Sequence, residues 1–462
     1  MKKVKVGLLP LYVKLYDDSL PYMRPKVEAF YEEIAEKLEQ EEKLEVVRAP
    51  ICRLENEFQA ALDRFVREEA SAVITLHLAY SPSLESEKPL ANCPLPILVL
   101  DTTPSCDFSP FNSIADIDYN HGIHGVQDMC SLLIRNGKPF EIFAGHYRCS
   151  DVCNRVANAA KAKAAAKAMR SARVGIVGEP FAGMGDFRVP YENLKRDIGM
   201  EVLPFDMSTV NDRVKAVSED RVAALWQEDS RKYLNDGVSE ELHNDVSRVS
   251  LAIDDWIKEE KLSAFSINFL ATGKNGLPYM PFDRPCRAME EGIGYAGEGD
   301  VMTAAFVGAL LSSWPESTFA EMFCPDWLRN TVFLSHMGEY NLAVSERTPT
   351  MRVKNFPFTE AGNPFTVMAP MKGGKAVFLD LAPAGDGEYT LIAADGEMLT
   401  VPKEHNMIDL VHGWFSPAED LATFLEEYSR VGGTHHGALV YGVDAEAFAS
   451  FAAEFGWNFV RI

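Results

Sequence analysis

The amino-acid sequence predicts an α/β protein, with two doubly wound parallel-sheet domains followed by a β-rich carboxy-terminal domain. Strand and helix patterns alternate through the first third of the 462 residues, and a second alternating series starts near residue 174. Short strand-like runs dominate beyond residue 315. Such alternation is typical of open, mostly parallel sheets, and a chain of this length exceeds one hydrophobic core. We expect domains over residues 1–172, 173–314 and 315–462.

The predicted first domain alternates buried strands with amphipathic helices. Short apolar runs bounded by turn residues predict strands at Val4–Leu9, Leu44–Arg48, Ala72–Leu76, Ile97–Asp101 and Phe140–Gly145. Apolar residues at helical spacing, or a run rich in alanine, predict helices at Tyr22–Gln40, Glu55–Glu69 and Asn154–Ala172.

The second and third predicted domains differ in their element types. The second contains predicted strands at Val174–Gly178 and Ala264–Phe269 and predicted helices at Asp212–Val217, Glu240–Glu260 and Val301–Ser312. The third contains predicted strands at Asn341–Ser345, Ala376–Ala382, Tyr389–Ala393 and Met398–Val401. Within it, Ala394-Asp395-Gly396 carries the residue types of a hairpin turn.

Charge and composition exclude several classes of partner. The formal net charge of −23 repels nucleic acid and anionic lipid, and no basic stripe counters it. No apolar run is long enough to span a membrane, and the amino-terminal residues lack the pattern of a signal peptide. The eight cysteines are scattered without a CxxC pair, which favours reduced thiols. We therefore expect a cytoplasmic protein without nucleic-acid or membrane partners.

Four separated segments carry residues suited to a metal ion. The glycine turn at 432–436 ends in two adjacent histidines, and Glu298, Glu321 and His336 lie upstream. Two carboxylates and two imidazoles can hold one divalent transition metal and leave coordination positions open. Mixed oxygen and nitrogen ligation favours Mn²⁺, with Co²⁺, Fe²⁺ or Zn²⁺ as alternatives.

Each of these residues also has a plain structural explanation. Glu298 stands at a helix start, where Asp300 can cap the helix that follows. Glu321 lies in an amphipathic segment, where a solvated helical carboxylate is common. His336 follows an apolar run, and a lone histidine at a strand end is often a core residue.

The same segments resemble bacterial L-arabinose isomerase and, more distantly, the wider arabinose/fucose isomerase superfamily. The resemblance covers nearly the whole chain, and its most similar pieces are Tyr295–Asp300, Ser317–Glu321, Ser335–Met337 and Gly432–His436. It implies three domains and an aldose–ketose isomerase, an intramolecular oxidoreductase of carbohydrate metabolism. It also implies that Glu298, Glu321, His336 and His436 hold the metal.

The resemblance assigns catalytic roles to two of the ligands. Glu298 and Glu321 would pass a proton between C1 and C2 through an enediol, as base and acid. The metal would act as Lewis acid and template. A metal-promoted hydride shift is the alternative, and the sequence does not separate the two.

The resemblance also implies substrate contacts. His124 matches a histidine that family members contribute across a subunit interface, which implies a homo-oligomer, a trimer or hexamer, with shared active sites. Met184 and Phe269 match pocket positions. The first loop departs from the family, because Tyr12 and Lys14 occupy the region where the family has a sugar-contacting glutamine. His121 replaces a second pocket glutamine.

These departures predict a different sugar. We expect a modified or anionic hexose, such as a sulfonated one, rather than L-arabinose. Arg24, Arg148 and Arg188 are candidate cations for it, with surface ion pairs as the alternative. Two other function classes stay open: a sugar-binding protein, and a metal-dependent hydrolase or aldolase that uses the same ligands.

Overall fold

The structure is a computed structural model that describes residues 3–385 and 387–462. The chain divides into two compact units, one up to Ala164 and the other from Ala165 to Ile462. The division into three domains stays a prediction. Among the described residues, no helix has both the length and the apolar character that crossing a membrane requires.

The amino-terminal unit contains one parallel sheet, as predicted. Its strands are β1 (Val4–Leu11), β2 (Leu44–Arg48), β3 (Val73–His77), β4 (Ile97–Asp101) and β5 (Phe140–Ala144), in the order β2-β1-β3-β4-β5. Its helices are α1 (Lys14–Ser19), α2 (Arg24–Gln40), α3 (Glu55–Arg67), α4 (Leu84–Asn92), α5 (Ile117–Asn120), α6 (Gly122–Arg135) and α7 (Val152–Arg170), which contains the division between units. All four strand pairings are parallel.

Strand β1 is buried on both faces of this sheet. Val6 and Leu8 belong to one apolar cluster, and Leu9 and Leu11 belong to another. Because neighbouring side chains of a strand point to opposite faces, β1 separates the two clusters. From Val6 to Leu11 its sequence is therefore continuously apolar, which is typical of a covered parallel strand.

The second unit begins with another parallel sheet. Its strands are β6 (Arg173–Val177), β7 (Glu201–Pro204), β9 (Ala264–Ile267) and β10 (Gly294–Gly297), in the order β10-β9-β6-β7, and β8 (Leu234–Asp236) belongs to a separate sheet. The helices are α8 (Tyr191–Asp197), α9 (Val210–Ala216), α10 (Glu219–Lys232), α11 (Glu240–Glu259), α12 (Asp283–Glu291) and α13 (Val301–Ser313). The α/β prediction is confirmed for both sheets, and the finer doubly wound arrangement stays a prediction.

An antiparallel barrel follows in the same unit. The remaining strands are β11 (Ser317–Asp326), β12 (Thr331–His336), β13 (Thr350–Val353), β14 (Phe365–Met368), β15 (Gly374–Pro383), β16 (Tyr389–Met398), β17 (Val411–Pro417), β18 (His436–Tyr441) and β19 (Asn458–Arg461). The order β15-β18-β11-β12-β17-β16 closes because β15 also pairs with β16. Helices α14 (Leu421–Arg430) and α15 (Ala449–Phe455) complete this β-rich region, which confirms the prediction beyond residue 315.

The predicted hairpin turn at residues 394–396 is wrong, and so is a separate strand at Met398–Val401. Residues 394–396 lie inside β16, which runs unbroken to Met398. Gly396 allows close strand contact instead of a turn, since an added Cβ would lie 2.4 Å from the Ser416 carbonyl oxygen. The Asp395 carboxylate accepts hydrogen bonds from the Ala445 amide and the Arg461 guanidinium, so its polar side chain has partners within the fold.

The predicted strand at Asn341–Ser345 is also wrong. Residues Leu342–Val344 form one turn of 3₁₀ helix. The Asn341 side-chain oxygen accepts a hydrogen bond from the Ala343 amide at 2.9 Å, and this local bond competes with strand pairing. Leu342 and Val344 are buried, which explains the apolar pattern that resembled a strand.

The prediction that all thiols are reduced is wrong for one pair. Cys106 and Cys149 form a disulfide, and the other six cysteines are free. Cys106 follows β4 and Cys149 follows β5, and these two strands are neighbours in the sheet. Loops that leave the same end of adjacent parallel strands can meet, although they are far apart in sequence.

Candidate active site

Three of the residues predicted to hold a metal lie on strands of the barrel, and the fourth follows a strand of the second parallel sheet. Glu298 follows β10, Glu321 lies within β11, His336 ends β12, and His436 begins β18. Glu321 is paired in register with both His436 and Ser335, the neighbour of His336. Glu321 is therefore a strand residue, and the helical alternative for it is wrong.

The backbone around Glu298 is unusual. Glu298 has a φ of 62°, in the left-handed region that non-glycine residues rarely adopt. An added Cβ at Gly297 would lie 2.5 Å from Cε1 of His336, so only glycine permits this approach. Strained backbone of this kind is concentrated at functional sites.

Two groups of side chains could hold a metal ion, and they share His436. One contains Glu298, His435 and His436, and the other contains Glu321, His336 and His436; within each group the ligand atoms lie within 4.8 Å of one another. Oε2 of Glu298 and Nε2 of both His435 and His436 are buried without a hydrogen-bond partner in the described structure. Buried polar atoms normally have partners, so these orphaned atoms fit a ligand set for a cation.

A buried carboxylate orients His336. Glu339 accepts a hydrogen bond from Nδ1 of His336 at 2.7 Å and another from the Tyr295 hydroxyl at 3.0 Å. Burial lowers the pKa of His336, but the Glu339 charge and hydrogen bond outweigh it, and the net shift is upward. With Nδ1 donating to Glu339, Nε2 is free to bind a metal.

His436 has an equivalent partner. Its Nδ1 lies 3.0 Å from Oδ2 of Asp300, which is fully buried. The other oxygen of Asp300 accepts from the Thr303 amide at 2.9 Å, so the predicted cap of α13 is confirmed. Phe187 stacks on the His436 ring with centroids 5.2 Å apart. Both histidines thus follow the carboxylate–histidine arrangement of metal sites.

His435 is held by a different carboxylate. Asp186 accepts from the His435 amide at 3.0 Å and from its Nδ1 at 2.6 Å. Burial lowers the pKa of His435, but Glu298 and Asp186 outweigh it and raise the value to about 9. The pKa of Glu298 is lowered, because the neighbouring imidazoles outweigh the effect of burial.

Sequence reasoning missed Glu339 and Asp186 and gave Asp300 only a capping role. Glu339 lies three residues from His336 and could have been found as a local partner. Asp186 is far from His435 in sequence, and no motif connects them.

Two family models match adjacent segments of the chain. The L-arabinose isomerase central domain matches residues 193–312, and the L-arabinose isomerase C-terminal domain matches residues 316–457. Together they cover more than half of the sequence and contain all four predicted ligands. The chain belongs to the L-arabinose isomerase family. It is an aldose–ketose isomerase of carbohydrate metabolism.

Individual relatives match most of the chain at low identity. An L-arabinose isomerase from Shewanella baltica is 23% identical and covers 91% of this chain and 86% of its own length. L-arabinose isomerase 1 from Bacillus licheniformis is 24% identical, with 86% and 81% covered. A solved leucine-binding protein from Thermotoga maritima covers 62% of this chain and 59% of its own at 13% identity and a TM-score of 0.17, too low to compare the folds.

Two of the predicted substrate contacts lie in the same unit as the ligands. Phe269 packs between Phe181 and Phe358, with ring centroids 5.6 and 5.7 Å away. The Met184 amide donates to the Phe181 carbonyl at 3.2 Å, and the Phe181 amide donates to the Glu298 carbonyl at 2.9 Å. These aromatic residues therefore connect directly to the loop that carries Glu298.

The other predicted contacts lie in the amino-terminal unit. His121 and His124 start α6, with ring centroids 5.3 Å apart, and the Tyr16 hydroxyl lies 2.9 Å from Nε2 of His121. Tyr12 is buried, its hydroxyl has no partner among the described residues, and burial raises its pKa to about 12. Lys14 is exposed at the start of α1.

The three candidate arginines differ in their partners. Arg24 pairs with Asp17 at 3.3 Å and Glu28 at 2.8 Å, and Arg148 pairs with Glu33 at 2.6 Å. Both therefore fit the alternative of surface ion pairs. Within the described residues, Arg188 makes no ion pair and remains a candidate for an anionic substrate.

Proposed function

We propose that this isomerase requires one divalent metal ion, held by Glu298, Glu321, His336 and His436. This proposal rests on His436, which belongs to both groups of possible ligands. Its Nε2 is buried without a hydrogen-bond partner in the described structure. Mn²⁺ suits the mixed oxygen and nitrogen set best, with Co²⁺, Fe²⁺ or Zn²⁺ as alternatives. When bound, the ion supplies Lewis-acid polarisation of the sugar oxygens.

The carboxylates of Glu298 and Glu321 then move the proton. One removes it from C2 of the aldose, the other delivers a proton to C1, and the hydroxyl proton moves from O2 to O1, which produces the ketose. Each transfer contributes about 10²–10⁴-fold to the rate. The lowered pKa of Glu298 keeps this carboxylate ionised and able to accept a proton.

A hydride shift between C1 and C2 is the alternative route. Turnover in D₂O separates the two, because proton transfer through an enediol places solvent deuterium in the product. Product free of deuterium at every extent of reaction would favour the hydride shift and remove the base role of Glu298.

Metal content and variants test the ligand set. Purified protein should hold about one divalent ion per chain, and chelation should abolish turnover until Mn²⁺ is restored. His436→Ala should lose both metal and activity. Glu316→Gln is the matched control, because Glu316 is an exposed carboxylate that pairs with Lys372 near the start of β11. A His436→Ala protein with normal metal content and turnover would overturn the assignment.

We further propose that the substrate is a modified or anionic hexose rather than L-arabinose. The family glutamine is replaced in the loop of Tyr12 and Lys14. Arg188 makes no ion pair within the described residues, and it follows Phe187, which stacks on His436. We also propose His121, His124, Met184 and Phe269 as residues that contact the sugar. The relatives are named for L-arabinose, which makes that sugar the second candidate.

A substrate comparison tests this proposal. kcat/KM should be higher for a carboxylated or sulfonated hexose than for L-arabinose, and Arg188→Ala should remove that preference. Arg430→Ala is the control, since Arg430 is an exposed helical residue that pairs with Glu426 at 3.9 Å. A kcat/KM for L-arabinose above that for every charged sugar would refute it.

Assembly and location complete the proposal. His124 would reach the active site of a neighbouring copy, so we propose a trimer or hexamer that acts in the cytoplasm. Sedimentation should show the oligomer, and His124→Ala should lower kcat/KM without dissociating it. An active monomer would contradict shared sites.

A further inference from the structure

A basic cavity of about 330 Å³ lies in the second unit. One of its lining residues, His412, pairs in register with Ser335, the neighbour of His336. Its charged and imidazole lining consists of Arg347, Arg352, Lys403, His405 and His412. None of these residues belongs to either group of possible metal ligands. In a chain with a net charge of −23, such a local concentration of cations is unusual.

Two of these cations lack a carboxylate partner. Within residues 3–385 and 387–462, neither Arg347 nor Lys403 forms an ion pair, and the Arg347 guanidinium donates a hydrogen bond to Nε2 of His405 at 2.9 Å. Arg352 differs, because it pairs with Asp236 at 3.1 Å and Asp409 at 3.5 Å. Uncompensated positive charge therefore concentrates on the Arg347 and Lys403 side, where a guanidinium can bind an oxyanion through two hydrogen bonds.

His412 adds an unpaired acceptor to the same cavity. Its side chain is 2% exposed, and its Nδ1 lies 2.7 Å from the Leu410 carbonyl oxygen. A carbonyl only accepts, so Nδ1 carries the hydrogen, and Nε2 of the neutral ring is an acceptor. This Nε2 is buried without a partner in the described structure. A ligand hydroxyl would satisfy it.

Thr348 and Thr350 also line the cavity, and the rest of its wall is apolar, with Met368, Ala369, Ile408 and Leu410 among its residues. These side chains can cover the carbon skeleton of a small molecule. The volume lies at the lower end of the range for ligand pockets, about 300–1,000 Å³. Inorganic phosphate alone would leave much of this space unfilled.

We propose that this cavity binds a small anionic polyol, a phosphorylated or carboxylated sugar derivative, at a site separate from the isomerisation site. The anionic group binds Arg347 and Lys403, and a hydroxyl donates to Nε2 of His412. Both ligand classes present the same chemistry, an oxyanion joined to a hydroxylated carbon chain.

Isothermal titration of the full chain tests the site. The probes are glucose 6-phosphate and gluconate for the two anion classes, glucose as the uncharged polyol, and inorganic phosphate as the anion without carbon. At least one charged polyol should bind at least tenfold more tightly than glucose and inorganic phosphate. Equal binding of glucose, equal binding of inorganic phosphate, or no binding of either charged polyol would overturn the proposal.

Variants assign the binding to this cavity. Lys403→Ala and Arg347→Ala should each weaken the charged polyol at least tenfold, and His412→Phe should weaken it relative to inorganic phosphate. Lys403 is exposed, so its replacement tests the site even if another variant fails to fold. Glu321→Gln alters the proposed metal site and should leave this binding unchanged. Loss of binding in Glu321→Gln with wild-type binding in Lys403→Ala would place the probe at the isomerisation site instead.

Discussion

Replacing Glu339 by glutamine tests whether a buried carboxylate controls metal affinity through His336. Glu339 is 1% exposed, and its two oxygens accept from three donors: Nδ1 of His336, the Gly338 amide and the Tyr295 hydroxyl. Glutamine keeps the shape but has one oxygen. That oxygen can still accept from His336 and Gly338, which share Oε2, and the Tyr295 hydroxyl loses its acceptor.

Two effects of Glu339→Gln can be estimated separately, one on metal affinity and one on the free energy of unfolding. Loss of a charged partner behind a metal-bound histidine weakens metal affinity about 10–100-fold, which equals about 1.4–2.7 kcal/mol. The orphaned hydroxyl of Tyr295 costs about 1–3 kcal/mol of unfolding free energy. Tyr295→Phe alone removes the hydrogen bond to Glu339 but keeps the charged partner of His336, so it should lower stability and change metal affinity much less than Glu339→Gln does.

Mn²⁺ titration calorimetry measures the first quantity, and denaturant unfolding of metal-free protein measures the second. Glu316→Gln, at an exposed ion pair, is the control for both. Wild-type Mn²⁺ affinity in Glu339→Gln would refute the argument that Glu339 acts on the metal through His336. A Tyr295→Phe protein that loses Mn²⁺ affinity as strongly as Glu339→Gln does would mean that the metal effect was only a result of lost stability.

Three further predictions concern single residues. Gly297→Ala should weaken Mn²⁺ binding at least tenfold, because the new Cβ would lie 2.5 Å from Cε1 of His336, and unchanged Mn²⁺ affinity by calorimetry would contradict this. Burial raises the pKa of Asp380 to about 7, so the folded protein keeps a proton that the unfolded chain releases above about pH 4. The unfolding free energy should fall by up to about 4 kcal/mol as pH rises through that window, and Asp380→Asn should flatten this slope in urea unfolding at pH 5 and 8. Burial lowers the pKa of His77 to about 3, so below about pH 6.5 the unfolded chain binds a proton that the folded protein does not. The unfolding free energy should therefore fall as the pH decreases toward 3. If the unfolding free energy of His77→Leu fell with pH as steeply as that of the wild type, this role of His77 would be excluded.

Elements with strong local patterns were predictable from the sequence. The strands at Leu44–Arg48 and Ile97–Asp101 have the predicted bounds, and the helix at Glu240–Glu259 ends within one residue of its prediction. The apolar residues of the helix recur at helical spacing because one face is buried. The strand at Ile97–Asp101 is an apolar run because its consecutive apolar residues are buried. The turn at 394–396 failed because glycine in a strand can serve close packing as well as a turn.

The candidate site was predictable only for residues carried by motifs. The glycine turn before His436 and the Gly297-Glu298-Gly299 segment can be recognised as local motifs in the sequence. Asp186 does not, because its role depends on a loop approach that no local pattern encodes. The Cys106–Cys149 bond escaped prediction for the same reason.

Closure of the antiparallel barrel has a consequence for the order of folding. The hairpin of β11 and β12 can bring Glu321 near His336 locally, but His436 arrives only when β18, from a distant part of the chain, pairs with β11. Such non-local pairing forms slowly, because loop closure costs entropy before contacts stabilise it. With the proposed ligand set, tight Mn²⁺ uptake during refolding would therefore report barrel closure, and a trapped intermediate with an open barrel would remain metal-poor.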